Sequence, residues 1–423
     1  MKTLGTMKTP LLMSDDRPIR FQVRKAGNAH AFLVASVRLP ADAAEAARSA
    51  YNRIAQFLAD HGMAITHERI FGSLSAESAV MAARNSLFKS RSISPENPVT
   101  YIQGHPPWGE GLAGVLIQAV NSGDAVRTIM DGDIPCGRCW KQHGVTYAVL
   151  QNIHAGMHAS RPLQARLMIE RAERILRQQG AAYGNVVRTW FYLSDIMSWY
   201  GEFNKVRNQK YGEFGIMPGP GDNQLLLPAS TGIRGETATN AACTMDLIAV
   251  IGEDGVVPKI QNLTNPVQLD AFRYGSAFSR ASVIHNNLME VSGTAAIDGH
   301  GVSLYPGDMN GQIECTLHNI EELLAQKDLC LKDICSATVF VKNAHDAEIF
   351  YRIAAARGLQ DLPAICVVAD VCRDELLFEI DAEAAINNGV QGFKDVRVQG
   401  DKGLRGKQID ECSPENLQEW NAE

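Results

Sequence analysis

The strongest constraint on the fold is an order of elements that recurs three times: strand, helix, strand, helix, strand, strand. In the first copy Ala31–Leu39 reads as a strand and Ala41–His61 as an alanine-rich helix stopped by Gly62. Ile65–Leu74 reads as a strand, Ser75–Lys89 as a helix with Ser75 as its N-cap, and Val99–Gly104 and Gly111–Val120 as closing strands. The second copy runs through Val145–Ile153, Arg161–Gln179, Val186–Leu193, Ser198–Phe214, Leu225–Thr231 and Cys243–Ile251. The third runs through Leu288–Ile297, Asp308–Gln326, Ile334–Val341, His345–Arg357, Ala364–Val371 and Leu376–Ala382. A repeat of this length means duplicated domains, not a solenoid.

Each copy predicts an α+β unit: a mixed sheet with two helices on one face. The bare face of each sheet needs cover, so three copies predict sheets facing one another as an intramolecular pseudo-trimer. Pockets then fall at the seams. The expected units span residues 20–140, 141–260 and 261–388, with a C-terminal tail over 389–423. Gly123–Gly144 and Gly252–Pro266 read as linkers from their Gly, Pro and Asp content, and residues 1 to about 19 read as a loose arm.

Bulk properties exclude several classes. The net charge of −7 disfavours nucleic acid as a partner. No apolar run reaches the ~20 residues of a membrane span, and the first residues lack a signal-peptide core. Nine irregularly spaced cysteines suit reduced thiols in a cytoplasmic protein. The pair Cys136 and Cys139, with His143 nearby, lacks the second half of a zinc site, so no metal is expected. There is neither a Walker loop nor a Gly-rich strand–helix fingerprint, so no cofactor is expected. The expected partner is a small anionic substrate, and the expected assembly a monomer or low-order homo-oligomer.

Candidate chemistry centres on Ala369–Ala382, ADVCRDELLFEIDA. Strand alternation puts Leu376, Phe378 and Ile380 on one face and Leu377, Glu379 and Asp381 on the other. Glu379 is either a rim charge or a desolvated carboxyl. Arg188 shares a face with Trp190 and Tyr192. It reads as a carboxylate receptor or as a surface arginine stacked on an aromatic, and Arg280 is similar. Arg373 lies in a turn near an expected seam. Tyr211 and Tyr274 are hydroxyl donors or core residues, and Thr231 sits in a small-residue turn able to hold an anion or simply to turn.

The third copy resembles the Rid (YjgF/UK114) superfamily in SGTAAIDGHG (292–301), GDMNGQIECTLHNIEELL (307–324), SATVFVK (336–342) and LLFEIDA (376–382). The second resembles it in RTWFYLSDI (188–196) and PASTGIRG (228–235). Within the superfamily, the chain is similar to the chorismatase branch through Arg188, Trp190, Phe203, Asn204 and Arg207, through the SGTA stretch with Gly293 and Thr294, and through DVCR-D-LL-EID. That resemblance implies cleavage of chorismate, or a similar cyclic diacid, to a hydroxybenzoate-type product with loss of pyruvate. It implies Glu379 as the catalytic acid. It implies Cys372 and Gly293 as marks of the 3-hydroxybenzoate branch, with Cys372 shaping the pocket. Two alternatives stand beside it: a Rid-type enamine or imine deaminase, and a non-catalytic ligand-binding protein of a biosynthetic pathway. The deaminases carry an arginine where this chain has Val371.

Overall fold

The computed structural model describes residues 18–386 except 28, 143, 158–159, 220–224 and 254, together with the strand Gln391–Lys394. Residues 1–17 of the expected arm, His143 and most of the expected tail lie outside the described residues.

The first unit comprises β1 (Ile19–Ala26), β2 (His30–Val37), α1 (Ala43–His61), β3 (Ala64–Gly72), α2 (Leu74–Ser90), β4 (Thr100–Gln103) and β5 (Leu112–Val120). The second comprises β6 (Arg127–Asp131), β7 (Ile134–Gln142), β8 (Val145–Ile153), α3 (Arg161–Gln178), β9 (Val186–Leu193), α4 (Tyr200–Glu213), β10 (Ala229–Arg234) and β11 (Cys243–Gly252). The third comprises β12 (Ile260–Leu263), β13 (Ala281–Ile284), β14 (Leu288–Ala295), α5 (Met309–Ala325), β15 (Ile334–Val341), α6 (Asp346–Ala356), β16 (Ala364–Val368) and β17 (Phe378–Ala385). The strand β18 (Gln391–Lys394) pairs with β1.

Local chemistry sets the helix ends. The Asp42 carboxylate accepts from the Glu45 amide at 2.9 Å to start α1, and Gly62 closes it in the left-handed region at φ 59°. Asp308 starts α5 in the same way by accepting from the Gly311 amide. The N-cap of α2 is Ser73 and not Ser75, whose hydroxyl donates to Glu110.

All three sheets share one strand order. They run β18-β1-β2-β5-β3-β4, β6-β7-β8-β11-β9-β10 and β12-β13-β14-β17-β15-β16, and in each only the last pair is parallel. The segment 123–144, expected as a linker, is largely the β6–β7 hairpin of the second sheet. The second expected linker contains β12. In the first sheet, β18 from the far end of the chain takes the place that β6 and β12 hold in the others.

Each sheet buries one face under its own pair of helices. The other faces meet in a common core to which all three sheets contribute, including Phe71, Trp190, Tyr192 and Phe340. Burying such side chains stabilises by roughly 1.5–3 kcal/mol each. The seam between the third and first units is packed tightly at Gly114. An added Cβ at Gly114 would lie 2.5 Å from the Ala35 carbonyl and 2.7 Å from Ile365 Cδ1. Gly114→Ala should therefore destabilise the protein by about 1–3 kcal/mol in urea unfolding. An unchanged midpoint would contradict this packing.

Candidate active site

Strand alternation in β17 separates two chemistries. Phe378, Ile380 and Ala382 face the helices of the third unit. Glu379, Asp381 and Glu383 face inward and are all buried. Glu379 thereby reaches a cavity of about 170 Å³ at the seam between the second and third units. The second unit lines it with Tyr200, Asn204 and Arg207 of α4 and Ser230 and Gly232 of β10. The third lines it with Tyr274, Arg280, Gly293, Cys372, Arg373 and others.

Gly293 is what leaves room for the acid. A Cβ there would sit 2.2 Å from Glu379 Oε1. Burial, then the Asp381 charge, pushes the Glu379 carboxyl up to about 8, against the opposing pull of Arg188 and Arg280. It is thus largely protonated at neutral pH. The Cys372 thiol is pushed up to about 12, first by burial and then by Glu379. It is a neutral thiol and not a poised nucleophile.

The cations of the cavity are held by neutral groups. Arg207 is 1% exposed and donates to Asn204 Oδ1 at 2.7 Å, with three phenylalanine rings, among them Phe203 and Phe278, within 5.8 Å of its Cζ. Arg280 donates to the Leu269 carbonyl and to the Tyr274 hydroxyl, the latter at 3.1 Å. Arg373 donates to the Gly301 carbonyl at 2.9 Å and to Ser303 Oγ at 3.1 Å. The Tyr274 ring lies 5.7 Å from Arg280 Cζ and 5.1 Å from Arg373 Cζ. Among the described residues none of the three makes an ion pair; Arg207 and Arg280 are buried, where a lone cation is costly, while Arg373 is half-buried with Glu375 near by.

Six of the ten residues singled out in the sequence line this cavity: Glu379, Cys372, Arg280, Tyr274, Gly293 and Arg373. Arg188 and Thr231 stand behind it, not in it. Arg188 Nη2 donates to Thr231 Oγ1 at 2.7 Å and to Asp381 Oδ2 at 3.2 Å, so its fork is occupied by protein groups. Tyr211 is packed in the helix-side core of the second unit with its hydroxyl 3.3 Å from that of Tyr183. Thr294 is buried, and its hydroxyl donates to the Ser292 carbonyl. The α4 face adds Tyr200, which the sequence reading did not single out, and Asn204 and Arg207, which it named as marks of the resemblance without a place in the site; their spacing of four and then three residues was the available signal. The expected linker pair Cys136 and Cys139 lies on β7 with both thiols in the core. No cluster able to hold a metal occurs among the described residues, and none of their helices is long and apolar enough to cross a membrane.

Residues 269–386 match the family model described as Endoribonuclease L-PSP. A chorismatase of Streptomyces hygroscopicus is 28% identical over 229 residues, which cover 48% of this chain and 62% of that protein. A 3-hydroxybenzoate synthase of the same organism is 25% identical over 229 residues, covering 47% of this chain and 63% of that protein. The matches thus span less than two thirds of these relatives' own length. A chorismatase crystal structure superposes with a TM-score of 0.57 at 22% identity, covering 76% of this chain and 93% of its own, a likeness of fold. The third unit thus matches the Endoribonuclease L-PSP family model, and the chain as a whole resembles the chorismatases in sequence and fold.

In this Rid-like chain the three seams are built alike but finished differently. The strand register makes Glu379, Thr244 and Gly114 equivalent, because each pairs with an aromatic, Phe340, Tyr192 or Phe71. The bulge residue facing that position is Gly293 in one seam and Asn152 in the next. Only the seam of the second and third units combines an acid with a glycine to accommodate it. Gly293→Ala should leave unfolding within about 1 kcal/mol of wild type, since the displaced atom ends a side chain. It should nevertheless move the acid, lowering the Glu379 titration midpoint read by carboxyl infrared spectroscopy as the group shifts toward solvent.

Proposed function

We propose that this chain is a chorismatase-like enzyme. It cleaves chorismate, or a similar cyclic dicarboxylate, to a hydroxybenzoate-type product and releases pyruvate. The observation that carries the reading is a buried carboxyl with raised proton affinity facing a cavity whose arginines make no ion pair with described carboxylates. An enol ether is cleaved by proton delivery to its methylene carbon, which leaves an oxocarbenium-like centre at the ether carbon. That step needs an acid still protonated near pH 7. Glu379 is that acid, and its proton moves from the carboxyl to the substrate carbon. Arg207, Arg280 and Arg373 receive the substrate's two carboxylates. Cys372, as a neutral thiol beside Glu379, shapes the wall where the ring sits. The names of the two curated relatives, a chorismatase and a 3-hydroxybenzoate synthase, support this substrate class.

One observation favours a second reading, a Rid-type imine deaminase: Arg373 lines the same cavity. Against it, Val371, at the position where such enzymes carry arginine, is buried in the central core.

The first experiment is incubation of the purified protein with chorismate, following pyruvate and aromatic products by chromatography. Glu379→Gln should lose on the order of 10²–10⁴-fold in rate. Because the acid form is the active one, kcat/KM should be flat toward neutral pH and fall as pH rises through about 8. Well-folded wild-type protein that releases no pyruvate would overturn the proposal and direct the assay to imine substrates. Arg207→Met should raise KM about tenfold to a hundredfold, the worth of a charge-assisted hydrogen bond of ~1.5–3 kcal/mol.

A further inference from the structure

Behind the cavity, Asp381 Oδ2 accepts hydrogen bonds from three groups of the second unit. They are Trp190 Nε1 at 2.9 Å, Thr231 Oγ1 at 2.9 Å and Arg188 Nη2 at 3.2 Å. Thr231 Oγ1 also accepts from the Gly293 amide at 3.1 Å. One hydroxyl therefore joins Asp381 to the residue against which the Glu379 carboxyl rests. Asp381 and Glu379 lie two residues apart on the same face of β17, about 6.6 Å along the strand at a rise of ~3.3 Å per residue. A group bonded only by donors is a carboxylate, and here it is buried beside the acid of the cavity.

We propose that Asp381, clamped across the seam by Arg188, Thr231 and Trp190, is a positioning residue that keeps the Glu379 carboxyl in its acid form and in place over Gly293. This rests on the reading of Glu379 as the acid. The clamp acts in two ways. Its charge disfavours a second negative charge on the same strand face. Its hydroxyl bridge fixes the Gly293 bulge, so the carboxyl has one resting place. The other ionisable groups at the cavity are Arg207 and Tyr200 from α4, Arg280 and Tyr274 from the segment before β13, and Cys372 and Arg373 from the turn before β17. Among the charges acting on Glu379, that of Asp381 is larger than those of Arg188 and Arg280.

The same clamp exists where there is no acid. At the seam of the first and second units, Asp246 accepts from Thr100 Oγ1 at 2.7 Å and lies 2.9 Å from His67 Nε2, and the Asn152 amide donates to Thr100 Oγ1 at 3.0 Å. There the position of Glu379 is Thr244. If Asp381 serves the architecture alone, with its charge offset by Arg188, Glu379 is left untouched, which makes the titration of Glu379 decisive.

The test is carboxyl infrared difference titration of the substrate-free full chain labelled with ¹³C-glutamate, with Glu379→Gln assigning the band. In Asp381→Asn the Glu379 midpoint should fall by about one pH unit or more, the size of a like-charge interaction at ~6.6 Å in a partly polarisable interior. The variant Asp381→Asn/Arg188→Met removes both buried charges and leaves no lone ion. Its midpoint should fall as well, by less, and Asp381→Glu should restore a high value. A folded variant of either kind with an unmoved midpoint overturns the proposal. Because no substrate is present, the midpoint answers this question separately from turnover. A shifted midpoint together with a wild type inactive on chorismate keeps the clamp and removes the proposed reaction. Where chorismate is turned over, the alkaline limb of kcat/KM should move to lower pH in Asp381→Asn by the same amount as the midpoint.

Discussion

An aspartate on the last strand of one unit, held by a threonine hydroxyl of the preceding unit, is the contact that the arrangement depends on. Three sheets with bare inner faces could slide against one another if only apolar side chains met between them, because the hydrophobic effect has no direction. Asp381 with Thr231, and Asp246 with Thr100, add direction. Both bonds are buried, and breaking one would strand a charge, so each seam has a single register. The third seam lacks the pair, with Leu116 and Ile365 at the corresponding positions, and is held instead by close packing at Gly114 and by Arg69 bonded to Glu383.

The clamps also explain the charge at the centre of the molecule. Arg188 and Arg69 flank the Trp190 ring, with Cζ atoms 4.3 and 4.4 Å from its centroid. Arg69 bonds Glu383 at 2.8 Å, and Arg188 Nε approaches Glu290 at 3.6 Å. Burial and then the neighbouring Glu383 push the Glu290 carboxyl up to about 8 in spite of that approach. Two arginines thus face three carboxyl groups, Asp381, Glu383 and Glu290, and burial raises the last two above the usual carboxylate range. Among the described residues, the cations of the cavity make no such ion pairs.

Much of the fold was legible in the sequence. The observed bounds of Val145–Ile153, Val186–Leu193 and Ile334–Val341 coincide with those expected, because long apolar strands between turn residues leave few alternatives. The β6–β7 hairpin was read as linker because Asp131, Gly132 and Asp133 dominate its centre, which are the residues a tight hairpin turn requires. In the site, Glu379 was legible from its apolar neighbours on one strand. Arg188 was placed on the correct strand face, but what it meets there, Asp381, lies 193 residues further on in another unit. A single strand pattern shows which way a side chain points and not which sheet stands opposite. Arg207 was visible as part of the resemblance but not as a site residue, because its helix also carries an apolar stripe, Phe203, Val206, Tyr211 and Phe214, that reads as core packing.

The unbalanced arginines and the raised acid support each other in one scheme. Without ligand, nearby positive charge favours ionisation of Glu379, and burial and Asp381 raise the carboxyl to about 8 against that opposition. A dicarboxylate entering the cavity would neutralise the guanidinium groups and bring negative charge closer to Glu379. Both effects push its proton affinity further up. Substrate binding would therefore secure the proton that the reaction consumes. A monoanionic ligand would satisfy one arginine and leave the others drawing the acid toward its ionised, inactive form. On the proposed reading the cavity would select for charge twice, once in affinity and once in the protonation state of the proposed acid.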